Sequence, residues 1–199
     1  MYKFNNNTSL KGKFLISSPS ILDQRFNKAV IYICSHNEEG AMGIVINKPS
    51  SDIKFIEIVT DLKSSKRIKN DYNNIKIHYG GPVDLDRGFV LHTSDYSTSN
   101  KNKTIYNNNI ILSSNREILT DIATGKGPSK ALIAIGYAGW EHGQLEEEIK
   151  KNAWIEVEAD ENILFSSDSS SKWNDCIKKI GFSNSNHFSA YFSMFSGTA

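Results

Sequence analysis

The sequence predicts an α+β fold in which a mixed β-sheet is surrounded by helices. Short unbroken apolar runs recur along the 199 residues, and runs without polar alternation are typical of strands covered on both faces. Three segments with helical spacing carry both a start and a stop signal. These helices interleave with the strands without a regular βα period, which favours α+β over a doubly wound sheet. The length suits a single domain over residues 1–199.

The predicted strands are of two kinds. The apolar runs lie at residues 14–16, 29–34, 44–46, 89–91, 110–112 and 131–135. Two further segments, 75–79 and 154–158, alternate apolar and polar residues and are expected nearer an edge of the sheet. The stretch 131–158 combines an apolar run, a glycine-punctuated aromatic turn, a short helix and an alternating strand. It predicts a strand-turn-helix-strand unit.

Three helices are predicted from spacing and caps. The first runs from about residue 52 to 62. The second begins at Ser114, where the letters SNRE match a capping box, and it ends at Gly125. The third buries Trp173 and ends at Gly181.

Charge and cysteine content narrow the classes of function. With 23 basic and 22 acidic residues the net charge is +1, so direct nucleic-acid binding is not expected. No apolar run approaches the roughly 20 residues of a membrane span, so no membrane partner is expected. Cys34 and Cys176 lie far apart and outside any CxxC pattern, which predicts free thiols and a cytoplasmic location. The polar stretches 63–74 and 94–109 are predicted loops.

Cys34 and His36 stand two residues apart at the end of a predicted strand. Regular alternation would place both on one face and leave their Cβ atoms about 7 Å apart, which is too far for a nucleophile and its base. We therefore expect a packed thiol and a histidine that ties down the hairpin loop. The loop between the two buried strands should span about five residues.

A Gly-Gly-Pro corner at residues 80–82 interrupts the chain between two predicted strands. Arg87 follows this corner and has two possible roles. It could bind a carboxylate or phosphate of a ligand, or it could pair with Asp84 or Asp86 and hold the corner together.

The histidines and glycines match no metal or nucleotide motif. His36, His78, His92 and His142 form no HxH, HxxH or HExxH pattern, so no metal site is predicted. The glycine-rich segment 136–143 has the wrong spacing for a dinucleotide fingerprint. No cofactor is expected. Tyr137, Trp140 and Trp154 surround this segment, either as a stacking platform for a ligand or peptide or as core packing.

Three segments carry a family resemblance: HNEEGAMGIVINKP, HYGGPVDLDRGFVLHT and ALIAIGYAGWEHGQLEEEIKKNAWIEVEAD. Together they resemble the AlgH/YqgE family of bacterial proteins, over about residues 12–181. The resemblance implies a compact domain whose mixed, bifurcated sheet closes into a small barrel surrounded by helices. It implies no activity, cofactor or catalytic residue, and the family's description as a transcriptional regulator rests on naming. Family members tend to end in an AGHA-like tail, whereas this chain ends in Ser-Gly-Thr-Ala without the histidine.

These observations favour a non-enzymatic cytoplasmic module that binds an unknown protein or small molecule. The candidate binding residues are His36, Asn47, Arg87, His92, Tyr137, Trp140 and Gln144. We expect His36, Arg87 and Gln144 to meet in one cleft, with Asn47 nearby. One alternative is a hydrolase that uses His36 or His92 as general base. Another is a transcriptional regulator that lacks a recognisable DNA-binding motif. No catalytic residue is assigned.

Overall fold

The computed structural model describes residues 9–61, 75–96, 104–105 and 110–196. Its strands are β1 Lys13–Ser17, β2 Val30–Asn37, β3 Gly40–Val45, β4 Pro49–Lys54, β5 Lys76–Tyr79, β6 Val83–Thr93, β7 Thr104–Ile105, β8 Ile110–Ser113, β9 Ala131–Glu141 and β10 Trp154–Glu158. Its α-helices are α1 Phe55–Asp61, α2 Arg116–Thr124, α3 Gln144–Lys150, α4 Glu161–Leu164, α5 Lys172–Lys179 and α6 Ser185–Ser196. A mixed sheet with separate helices confirms the α+β class.

Strand β9 is the branch point of the sheet. The strands follow the order β10-β1-β2-β3-β9-β6-β8-β7, and β5 pairs with both β4 and β9. One end of β9, residues 138–141, pairs with β3 in antiparallel fashion. The other end, residues 133–135, pairs with β5 in parallel fashion. Because two strands share one edge of β9, the sheet forks there.

The sheet does not close into a barrel, so that part of the expected fold is wrong. Closure requires hydrogen bonds between the two outermost strands. Within the described residues, β10 pairs with β1 alone and β7 pairs with β8 alone. The strand path therefore remains open at both ends.

Both faces of the sheet are covered, as the unbroken apolar runs predict. Tyr32 of β2 belongs to the largest core cluster, which includes Trp173 of α5 and Phe188 of α6. The neighbouring Ile31 belongs to a second cluster, on the opposite face, beneath α3. A third cluster joins α1 and α2 to the fork and includes Phe55. Alternate residues of one strand thus enter different cores.

The three predicted helices are present, with differences at their starts. Helix α1 begins at Phe55 rather than near residue 52, because Pro49 and Lys54 belong to β4 and pair with β5; residue 62 lies outside the described residues. The N-cap of α2 is Asn115 rather than Ser114, since the Asn115 side chain accepts the N–H of Ile118 at 3.3 Å. The predicted stops of α2 and α5 are confirmed.

One predicted loop and a predicted turn differ from the structure, and a second predicted loop is not described. The stretch 63–74 lies outside the described residues. Part of 94–109 is described, and its strand β7 pairs with β8. The aromatic segment after residue 135 is not a turn, because β9 continues to Glu141. Gly136 permits this with φ of 71°, a left-handed conformation that kinks the strand without ending it.

The Gly-Gly-Pro corner brings β5 and β6 against β9. Gly81 has φ of 151°, and a Cβ atom there would lie 2.1 Å from the carbonyl carbon of Tyr137. No side chain can occupy that space. The absence of a side chain at Gly81 therefore sets how closely the corner approaches Tyr137.

Candidate functional site

The candidate site depends on an irregularity in strand β2. Its pairing with β3 shifts register between Ile33 and Ser35, which is typical of a β-bulge. Cys34 faces the largest core cluster, and regular alternation would put His36 on that face too. Instead Ser35 and Asn37 face that side, while His36 contacts α3 on the other. The prediction that Cys34 and His36 share a face is wrong, because the extra residue reverses the alternation.

An open groove of about 880 Å³ crosses the sheet beside this bulge. It passes over β2, β3, β9 and β6, and its size falls within the range of known ligand sites, roughly 300–1,000 Å³. Its lining includes Ser35, Asn37, Met42, Arg87, Tyr137 and Gln144. We refer to it below as the groove.

The structure separates the sequence candidates into two groups. The candidates that line the groove are Arg87, Tyr137, Trp140 and Gln144. The candidates that lie outside it are His36, Asn47 and His92. Arg87 and Gln144 therefore share one cleft, whereas His36 and Asn47 are held elsewhere by the chain.

Arg87 is an exposed cation at one end of the groove. Within the described residues it forms neither an ion pair nor a hydrogen bond, so neither Asp84 nor Asp86 pairs with it. Its guanidinium carbon lies 5.2 Å from the centroid of the Phe89 ring. This cation–π contact orients the guanidinium group while leaving its N–H donors available.

Tyr137 forms part of the groove floor. Its ring meets the ring of Phe89 edge to face at a centroid distance of 5.9 Å. It also lies over Gly139, where an added Cβ atom would come within 3.2 Å of the Tyr137 ring. The floor is therefore shaped by an aromatic pair that rests on a glycine.

Carboxylates stand at the other end of the groove, near the β2–β3 hairpin. Glu39 and Glu141 both line the groove there, and Glu141 lies in register with Gly40. Neither carboxylate has an ion pair within the described part of the chain. The hairpin loop consists of residues 38–39 rather than the five residues expected, because β2 continues to Asn37.

Gln144 lines the groove, but its side chain is already engaged. Its carbonyl oxygen accepts the backbone N–H of Glu141 at 3.0 Å. Its amide nitrogen donates to Glu148 at 2.8 Å. Gln144 therefore holds the start of α3 against the end of β9, and it shapes the groove wall.

Glu148 joins two tryptophans beneath α3. One carboxylate oxygen accepts the indole N–H of Trp140 at 2.9 Å and that of Trp154 at 2.7 Å. The two rings meet edge to face at 5.9 Å, and Trp140 is only 7% exposed. The aromatic cluster predicted as either platform or packing thus packs into the second core, with Trp140 at the groove margin.

His36 has both ring nitrogens in use. Nδ1 accepts the backbone N–H of Leu10 at 3.0 Å, so Nε2 carries the proton and donates to Glu146 at 2.8 Å. Burial raises the pKa of Glu146, but hydrogen bonds from the backbone and His36 outweigh it and hold that pKa below its usual value. The partner of Glu146 is therefore His36. The neighbouring Glu147 forms an ion pair with Lys150 at 2.8 Å.

Asn47 and His92 are also satisfied by nearby groups. Asn47 accepts the N–H of Val30 and donates to the carbonyl of Lys28, each at 2.8 Å. His92 is 1% exposed, and its nitrogens meet the carbonyl of Thr93 at 2.8 Å and the hydroxyl of Ser113 at 2.9 Å. Both side chains therefore connect neighbouring segments of the fold.

His78 of β5 and Lys172 of α5 are also buried polar side chains. His78 contacts the carbonyl of Ile133 at 3.3 Å and the hydroxyl of Ser169 at 3.2 Å. Burial, assisted by the positive charge of Lys172, lowers the pKa of His78 to about 4. The buried Lys172 donates to the carbonyls of Ile46 and Leu164, and burial lowers its pKa to about 8.

The thiols and the metal-ligating residue types provide no further site. Cys34 and Cys176 are free and buried. Burial raises the pKa of both thiols, that of Cys176 to about 12, so neither is a thiolate at neutral pH. Among the described residues, no group of three or more His, Cys, Asp or Glu side chains could hold a metal ion.

Several groove residues were not among the sequence candidates. These are Ser35, Asn37, Glu39, Met42, Ser114 and Glu141. Glu39 could have been found by predicting a two-residue hairpin loop between Asn37 and Gly40, because such a loop would place Glu39 beside the end of β9. The bulge that places Ser35 on the groove face has no comparable signal in the amino-acid sequence.

Fold and groove together define an α+β protein with a forked mixed sheet and an open cleft across it. The chain belongs to the AlgH-like family, because the model of that family, DUF179, matches residues 14–185. It is 42% identical over 179 residues to a UPF0301 protein of Afipia carboxidovorans, which covers 87% of this chain and 85% of the relative. A UPF0301 protein of Azorhizobium caulinodans is 43% identical over 177 residues, 86% of each chain.

Solved structures resemble the fold. The solution structure of the AlgH protein from Pseudomonas aeruginosa is 37% identical, with a TM-score of 0.75, and covers 100% of this chain and 98% of its own. A protein of Corynebacterium diphtheriae has a TM-score of 0.70 at 19% identity over 95% of this chain and 94% of its own, which supports the fold alone. In the part of the chain that the structure describes, no helix has the length and apolarity to cross a membrane.

Proposed function

We propose that this protein is a non-enzymatic binding or regulatory module whose groove captures a ligand or partner segment. The observation that carries the proposal is the exposed guanidinium of Arg87 at one end of a half-apolar groove, without an ion pair in the described residues. Arginine binds carboxylates and phosphates in a bidentate manner, so an unpaired arginine at a groove suits an anionic group of a ligand.

Binding is favoured over hydrolysis by the state of the histidines. A general base needs a ring nitrogen within reach of a nucleophile. Both ring nitrogens of His36 are occupied, by the N–H of Leu10 and by Glu146. Nε2 of His92 does lie 2.9 Å from the hydroxyl of Ser113, but His92 is 1% exposed and Ser113 is 7% exposed, so this pair is buried away from a substrate in the groove. A regulatory role would then follow from ligand or protein capture, since the net charge of +1 offers little attraction to DNA.

A cytoplasmic location is part of the same proposal. It is supported by Cys34 and Cys176, which are separate buried thiols rather than a disulfide. Localisation of a tagged chain in fractionated cells checks it. Recovery of the protein outside the cytoplasmic fraction would contradict it.

The experiment is an NMR screen of a mixed library of anionic metabolites and short peptides against labelled protein. We expect hits to move the amide signals of Gly40 and Gly139, which line the groove. Arg87→Ala should abolish the shifts caused by anionic metabolites and weaken those caused by peptides. Arg116→Ala is the matched control, because Arg116 is also exposed but lies on α2 outside the groove.

Two outcomes would contradict the proposal. In the first, hits move amides only outside the groove, or Arg87→Ala and Arg116→Ala behave alike. In the second, the protein hydrolyses generic ester, phosphate or amide substrates and His36→Ala or His92→Ala abolishes the activity. The second outcome would support the hydrolase alternative.

A further inference from the structure

The groove has opposite charges at its two ends, and this polarity narrows its ligand; the inference rests on the function proposed above. Arg87 stands at the end formed by β6, one residue before Gly88, which pairs with Ile135 of β9. Glu39 and Glu141 stand at the end formed by the hairpin and the end of β9. Within the described residues, none of these three side chains has an ion pair.

The distance between the two ends follows from strand geometry. Ile135 pairs with Gly88, the residue after Arg87, and so marks the cationic end of the groove on β9. Glu141 pairs with Gly40, the residue after Glu39, and marks the acidic end. Glu141 lies six positions after Ile135 along β9. At about 3.3 Å per residue, and allowing for the kink at Gly136, the backbone positions at the two ends of the groove lie about 15–20 Å apart. A small metabolite cannot bridge that distance, whereas an extended peptide of five or six residues can.

The middle of the groove is suited to the side chains of such a peptide. The apolar side chains that line the groove include Met42, Val83, Phe89, Leu112 and Tyr137. In an extended peptide every second side chain points the same way, so two or three apolar side chains would meet this floor. Ser35 and Ser114 also line the groove, and because neither side chain has a hydrogen bond to another described residue, their hydroxyls can serve the peptide backbone.

The geometry points to an extended peptide of about five or six residues, with an apolar alternating face, as the occupant of the groove. Its carboxylate end lies at Arg87, and a cationic side chain lies between Glu39 and Glu141. The floor supplies most of the affinity. The charges set the direction of the peptide, since charge complementarity governs orientation more than affinity.

The test uses the full chain and one designed six-residue peptide, acetyl-Lys-Val-Ser-Val-Thr-Phe with a free carboxylate. Two matched peptides replace the carboxylate by an amide, or the lysine by norleucine. Binding is measured by calorimetric titration, and the site is located from the amide signals of Gly40 and Gly139, which line the groove. For the unmodified protein we expect each matched peptide to bind about three- to tenfold more weakly than the parent.

Each protein variant should remove one preference and leave the other. Arg87→Ala should bind the free acid and the amide equally, yet still prefer lysine to norleucine. The double variant Glu39→Gln with Glu141→Gln should lose the lysine preference and still prefer the free acid. These losses are specific to charge, because all these side chains are exposed and contribute little to folding.

The inference is overturned if the unmodified protein does not distinguish the three peptides, or if its preferences survive in the variants. It is also overturned if the parent peptide moves no groove signal at millimolar concentration. If a metabolite from the earlier screen binds in the groove while the peptide does not, this inference fails and the proposed function stands. If neither binds there, both fail.

Discussion

The two faces of strands β2, β3 and β9 use their polar side chains differently. On the face that α3 covers, the polar groups bond within the chain: His36 to Glu146 and Leu10, and Glu148 to both tryptophans. On the groove face, Arg87 and the two glutamates have no ion pair among the described residues. Polar groups that hydrogen-bond to one another stabilise a fold. Charged groups that line a cleft without an intramolecular partner are candidates for ligand binding.

The first test of this comparison is Glu148→Ala on the α3 face. It would leave the indole N–H groups of Trp140 and Trp154 without their acceptor and Gln144 without its partner. We expect the free energy of unfolding to fall by about 4 kcal/mol, since each orphaned buried donor costs about 1–3 kcal/mol.

Urea denaturation measures this loss, and Glu147→Ala is the control. Glu147 lies on the same helix but is exposed, and in the described part of the chain its ion pair is with Lys150. Its removal should cost less than about 1 kcal/mol. If the two variants were equally stable, the α3 face would not be held by its polar groups.

The pH dependence of stability tests whether His78, another buried polar side chain, stays neutral in the folded protein. Its pKa is about 4 in the folded protein, against an ordinary value of 6.5. As the pH falls from 7 to 4, the unfolded chain gains a proton at His78 that the folded chain does not gain. Stability should therefore fall by about 3 kcal/mol over that window and level off below pH 4.

The variant His78→Gln isolates this contribution, because glutamine does not titrate while the remaining carboxylates are unchanged. The difference in free energy of unfolding between the two proteins is measured by urea unfolding at several pH values. It should change by about 3 kcal/mol between pH 7 and pH 4. Parallel curves would mean that His78 takes up a proton as readily in the folded protein as in the unfolded chain.

A smaller effect is expected for His36→Ala. The change removes the acceptor of the Leu10 N–H and the donor to Glu146. A loss of about 1–2 kcal/mol in thermal or urea unfolding follows from two missing hydrogen bonds at a half-buried site. His142→Ala is the control, since His142 is exposed and its ring contacts one carbonyl, that of Glu38. An equal loss in both variants would remove the distinction between the two faces.

The smallest stability effect is expected in the groove. Arg87→Ala should change the free energy of unfolding by less than about 0.5 kcal/mol, because the side chain is exposed and, among the described residues, contacts the Phe89 ring without an ion pair or hydrogen bond. Comparison with Arg116→Ala by the same denaturation assay checks this. A loss above about 1 kcal/mol would make Arg87 part of the scaffold and would weaken the binding proposal.

Much of the fold was predictable because its signals are local. The eight predicted strand segments correspond to β1, β2, β3, β5, β6, β8, β9 and β10. Strands β4 and β7 were missed, since neither has an apolar run or a clear alternation. Helices α4 and α6 were also not predicted. The fork could be expected only from the resemblance, and closure into a barrel was wrong, because strand pairing depends on residues far apart in the sequence.

The candidate site was predictable only in part. Arg87 and Tyr137 could be selected because a corner and a glycine-rich segment drew attention to them, and both line the groove. His36 was assigned to the wrong face, because the bulge after Ile33 reverses the alternation of β2. Ser35 was overlooked for the same reason.

The sequence by itself determined where eight of the ten described strands form, where α2 and α5 stop, and which corners require glycine, because these depend on side-chain period, caps and backbone freedom within a few residues. Only the tertiary structure decided which polar side chains face the groove and which are used to hold the chain together. A one-residue bulge in β2 and the left-handed Gly136 in β9 decide the face of every residue that follows. Their effect is visible only when the partner strands are in place.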